Sequence, residues 1–100
     1  MPEGLELVRT TALWDEETVP AGVLSGHRVA DGVWGQLVVR SGAVGFVFED
    51  EPDLTIQVST DGKVVIPPGR YHHVSLQGPA TFVVEFYRKP ADQPSDTTSS

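Results

Sequence analysis

At 100 residues the chain has room for one domain with a thin core, and its 39% hydrophobic and 21% charged shares are those of a folded globular protein. A formal net charge of −7, with seven basic residues scattered from Arg9 to Lys89, lacks the clustered Lys and Arg that phosphate binding requires, so no nucleic-acid partner is expected. With no cysteine, disulfides, thiolate nucleophiles and thiolate-ligated metals are excluded, which fits a cytoplasmic protein.

The N-terminus, Met1-Pro2-Glu3-Gly4, has no basic segment followed by an apolar run, and no stretch approaches the length of a membrane helix, so neither a signal peptide nor a membrane partner is expected. Leu5 to Thr10 reads as a first short strand. Thr11 to Pro20 is polar and irregular, with Leu13 and Trp14 as its large anchors and Glu16 and Glu17 as solvated acids. Gly22 to Val29 reads as a strand, closed by a turn at Asp31-Gly32. Val33 to Arg40 and Ala43 to Glu49 read as a hairpin turning at Ser41-Gly42. Asp50 to Asp53 reads as a solvated loop. Leu54 to Ser59 alternates apolar and polar, as a strand with one face in the core does. After the turn at Asp61-Gly62, Lys63 to Ile66 is a short strand, and Pro67-Pro68-Gly69 forces a bend. Tyr71 to Leu76 and Ala80 to Arg88 read as two further strands joined through Gln77-Gly78-Pro79. No helical period persists, so the expected fold is all-β, an antiparallel sandwich or barrel spanning residues 1–89. From Pro90 onward no large apolar residue remains, and residues 90–100 are expected to form a disordered, dispensable tail. Several exposed strand edges on so short a chain favour a homodimer.

Strand alternation sorts the three histidines by face. His72 shares a face with Val74 and Leu76 and is expected inside; His73 shares the other with Tyr71 and Ser75 and is expected outside; His27, alternating with Val23 and Val29, is expected inside. Glu85 lies in an apolar strand, where an unpaired carboxylate must protonate or find a cation. One divalent ion held by His27, His72 and Glu85 would satisfy all three, and two imidazoles with one carboxylate suit iron or zinc sites. The plainer alternative stays open: hydrogen-bonded core histidines, and Glu85 paired with Arg28, Arg40 or Arg88. Trp34, Tyr71, Phe82 and Tyr87 are candidates to line a cavity. No nucleophile, phosphate-loop or dinucleotide motif is present, so no catalytic residue is assigned.

Gly62-Lys-Val-Val-Ile-Pro67-Pro-Gly69-Arg-Tyr-His72 resembles the second cupin motif, with His72 in the ligand position and Leu76 where that motif carries Asn. The first cupin motif is partly present: His27 is there, Val29 stands in place of its second His, and Gln36 lies nearest to its Glu. More narrowly, Thr18 to Gly22, His27, Trp34-Gly35, Ser41-Gly42, Pro67 to His73 and Val84 to Arg88 are similar to the small cupin-like domain family linked to tellurite resistance. The resemblance implies a cupin-type jelly-roll barrel, a divalent metal (zinc, iron, manganese or nickel), a small-molecule ligand or substrate, and a connection to oxyanion or oxidative stress. It implies no particular reaction. Two alternatives stay open: a ligand-binding or sensing module without a functional metal, and an interaction domain whose histidines are only core residues.

Overall fold

The computed structural model describes residues 2–24 and 31–90. Its strands are β1 (Glu6–Thr10), β2 (Trp14–Asp15), β3 (Trp34–Phe48), β4 (Ile56–Ser59), β5 (Lys63–Ile66) and β6 (His72–Arg88), with one 3₁₀ turn at Ala21–Leu24. All pairings are antiparallel. The long strands β3 and β6 run side by side for nearly their whole length. β1 and β2 pair with the outer edge of β6, and β4 and β5 with the outer edge of β3. This is the expected all-β, cupin-type architecture.

Two expectations are corrected. Ser41-Gly42 does not turn a hairpin, and Gln77-Gly78-Pro79 does not end a strand; each lies within one long strand. The β3–β6 register slips between Val39 and Ser41 and again between Gly42 and Val44. Gly42 has φ 76°, which L side chains rarely adopt. The chain therefore bulges and bends instead of reversing, and the bulge shifts the side-chain alternation. Before it Leu37 and Val39 face inward; after it Val44, Phe46 and Phe48 do. Both halves of β3 thus keep an apolar face toward one core, which β6 completes with Val74, Ala80, Phe82 and Val84.

The stretch 11–20 is more ordered than its polarity suggested. Asp15 Oδ1 accepts the amides of Glu17 and Thr18 at 2.8 and 2.9 Å and the Thr18 hydroxyl at 3.1 Å. That turn lets Trp14, Val19 and Val23 pack on the core. Glu16 is not merely solvated: its Oε1 accepts the Ala80 amide at 3.2 Å, next to the irregularity in β6. The expected strand at Gly22 begins instead as the 3₁₀ turn, and its remainder, with His27 and Arg28, lies outside the described residues, as does the tail beyond Pro90. The strand expected from Leu54 begins at Ile56, leaving Leu54 exposed. No helix among the described residues is long and apolar enough to cross a membrane.

Candidate functional site

The Pro67-Pro68-Gly69 bend brings the chain from β5 back to β6, with Gly69 at φ 74°. His72 is the first residue of β6 and is buried, at 4% exposure, on the same face as Val74, as alternation required. Its Nδ1–H donates to the carbonyl oxygen of Arg70 at 2.9 Å. Its ring stacks on Phe46, with centroids 5.2 Å apart and planes at 20°, and meets Phe48 edge-on at 6.5 Å. A donor bond from Nδ1 makes Nε2 the second, chemically distinct nitrogen of the ring.

His72 lines a cavity of about 40 Å³ between the two halves of the curled sheet. The other walls among the described residues are Trp14, Val23, Leu37, Phe46, Ile66, Val74, Val84 and Phe86. Among these lining residues His72 is the one with a polar side chain capable of both donating and accepting. The aromatic walls are Trp14, Phe46 and Phe86. Trp34, Tyr71 and Tyr87 do not line it, and Phe82 is core, its ring edge-on to Trp14 at 6.1 Å.

Glu85 is not brought to His72. Val84 and Phe86 point into the cavity, so Glu85 between them points to the opposite face of the sheet, with Val83 and Tyr87. It is half-buried there, and its Oε1 accepts the Tyr87 hydroxyl at 2.8 Å, which holds the phenol above its ordinary range. Gln36, paired with Glu85 across the strands, is likewise absent from the cavity wall. His73 faces away from His72, as expected, with Nδ1 2.5 Å from Glu49 Oε2. Among the described residues no three His, Asp or Glu side chains converge as metal ligands. The described part of the site offers one imidazole in an apolar wall, which does not by itself fit a divalent cation.

Above His72, a cluster that local sequence gave no sign of joins the acidic loop to the proline bend. Arg70 Nη2 donates to Asp50 Oδ1 and Glu51 Oε1, both at 2.8 Å, while Nε donates to Asp50 Oδ2 at 3.0 Å. The guanidinium lies 3.7 Å from the centroid of the Phe48 ring. Arg70 holds the Asp50 carboxyl below its ordinary value of 3.8, and the Glu17 and Thr18 amides do the same for Asp15. Both values are lowered in the folded chain, so their contribution to stability is present above about pH 4 and lost as pH falls through the lowered values. These groups are exposed, so the effect is small and weakens with salt. Melting temperature followed downward from about pH 5 should fall less steeply for Asp50→Asn than for the unaltered chain; parallel curves would show that the Arg70 pair contributes nothing.

The described scaffold has relatives among known proteins. The family profile of the TehB-like domain matches residues 9–84. A curated relative, the uncharacterized protein YeaR of Escherichia coli K12, is 29% identical, with 90% of this chain and 83% of that protein aligned. A crystal structure of a protein from Escherichia coli K12 superposes with a TM-score of 0.82 at 27% identity, covering 91% of this chain and 97% of that one. TehB from Haemophilus influenzae superposes at 0.80 and 20% identity over 89% of this chain but only 33% of its own length. A cupin-2 domain protein from Shewanella frigidimarina does so at 0.59 and 19% identity, covering 85% of this chain and 72% of that one. The last two likenesses bear on fold alone. With a profile match from the first strand to the end of the core, the chain belongs to the TehB-like domain family.

Proposed function

We propose that the chain is a small-molecule binding module whose ligand occupies the cavity beside His72. The observation that carries this reading is the wall composition among the described residues: one imidazole among eight apolar side chains. A cavity of about 40 Å³ has room for roughly three water-sized atoms, at 10–15 Å³ each. Bringing an oxyanion such as tellurite there would strip its hydration with, among the described walls, one imidazole in return, which is costly. A neutral, polarizable molecule suits the site better, because Trp14, Phe46 and Phe86 offer ring contacts of the kind sulfur favours. The connection to tellurite or oxidative stress would then run through a neutral, soft species, not the oxyanion itself.

A second reading, a divalent ion taken by His72 with His27, draws on one feature. The Nδ1 bond to the Arg70 carbonyl is the orientation that ligating imidazoles commonly have, with Nε2 toward the ion. A chemical-shift titration with dimethyl sulfide, sodium tellurite and Zn(II) in separate arms tests both readings. Saturable shifts at the cavity residues with the sulfide alone support the first. Saturation by Zn(II), lost in both His27→Ala and His72→Ala, would replace it with the second. A homodimer remains an expectation, which light scattering would check.

A further inference from the structure

The geometry points to Arg70 as the residue that positions His72, with Asp50 and Glu51 as its anchors. This rests on the reading of His72 as the polar contact of the cavity, and adds how that ring is held.

Arg70 reaches the imidazole by two routes. Its carbonyl oxygen accepts the Nδ1–H at 2.9 Å, which fixes the proton on that nitrogen. Its guanidinium covers the Phe48 ring at 3.7 Å. Phe48 in turn meets His72 edge-on at 6.5 Å and Phe46 at 5.1 Å, and Phe46 stacks on His72. Among the described contacts, the imidazole is held by the main chain on one side and by an aromatic pair, closed off by Arg70, on the other. Asp50 and Glu51 take the guanidinium fork and fix its plane over Phe48. A lysine could keep the charge but not the planar, multiply bonded fork. The guanidinium alone faces the Phe48 ring, and the two-point bond to Asp50 with the further bond to Glu51 sets its orientation there. The main-chain bond from the Glu49 amide to the Tyr71 carbonyl, 2.9 Å, ties the same loop to the same bend independently of these side chains. Removing the side chain should thus loosen the ring without unfolding the chain.

The test is Arg70→Met, Arg70→Lys and Asp50→Asn in the full chain, with Arg40→Met as control. The imidazole nitrogens of His72 are read by long-range ¹H–¹⁵N NMR, and affinity by titration with dimethyl sulfide. In the unaltered chain His72 should be protonated at Nδ1. Arg70→Met and Arg70→Lys keep the main-chain carbonyl, so Nδ1 should stay the protonated nitrogen; with the Phe48 side of the ring loosened that bond should weaken, the His72 nitrogen shifts should move, and affinity should fall about 2- to 3-fold, a fraction of the worth of one hydrogen bond. Asp50→Asn should move both in the same direction by less, and Arg40→Met should move neither. A folded Arg70→Met chain with unchanged nitrogen shifts overturns the inference; if that variant does not fold, unchanged shifts in Asp50→Asn do so. Failure of the unaltered chain to bind the sulfide would overturn the proposed function instead, since the nitrogen shifts are read without ligand.

Discussion

Phe46→Ala is expected to lower stability by about 3–5 kcal/mol, the usual cost of truncating a fully buried aromatic ring. Phe46 is 0% exposed. Its ring is wedged edge-on against Phe48 at 5.1 Å and stacked on His72 at 5.2 Å. It is also a wall of the cavity, so truncation enlarges a space that already exists. Small domains have stabilities of about 5–15 kcal/mol, so most of the margin of so short a chain would be lost. Urea unfolding at neutral pH measures the difference. A loss below about 1 kcal/mol would mean that the cavity collapses around the deletion, and the two halves of the sheet would then be less rigidly opposed than their packing indicates.

Gly42→Val should be comparably damaging, for a different reason. At φ 76° a β-branched side chain is strained by about 1–3 kcal/mol. A Cβ there would also lie 2.2 Å from the Pro79 carbonyl oxygen and 2.9 Å from the Ala80 Cα, both main-chain atoms of β6. The two long strands would have to separate where they bend, for a total on the order of 4 kcal/mol. Gly22→Ala is the matched control: nothing lies within 4 Å of its added Cβ, and its φ is not positive. It should change stability by no more than about 0.5 kcal/mol. Equal urea midpoints for the two variants would contradict the bulge as the element that folds the sheet onto itself.

The same glycine shows where sequence reading reached its limit. Gly42 was legible as a residue at positive φ, but a two-residue hairpin and a bulge both ask for one. What decides between them is the facing strand: β6 is itself irregular at Gln77 to Ala80, so the two strands bend together and continue. No local pattern in β3 carries that information. His72 was legible because a proline–glycine bend and the alternation with Val74 act locally. Glu85 was not. The outward face of β6 is itself apolar around it, with Val83 6% exposed, so the two-residue period had no contrast to show which way the carboxylate points. Tyr87, two residues on, satisfies it on that outer face. Trp14 did carry a signal, a lone large ring in a polar stretch, and it proves to be a cavity wall. The Arg70 cluster joins residues 19 and 20 positions apart, beyond any local period.

The most direct measurement is the dimethyl sulfide titration read at the cavity residues His72, Phe46 and Val84, repeated in Glu85→Gln and, at Phe46 and Val84, in His72→Phe. His72→Phe keeps an aromatic ring and removes the polar contact; Glu85→Gln alters the outer face and leaves the cavity walls intact. The expected result is saturable shifts at His72, Phe46 and Val84 in the unaltered chain and in Glu85→Gln, with affinity reduced about 2- to 10-fold in His72→Phe, the worth of one hydrogen bond. No saturable shift at any cavity residue, or a binding response abolished by Glu85→Gln, would contradict a ligand held in the cavity beside His72.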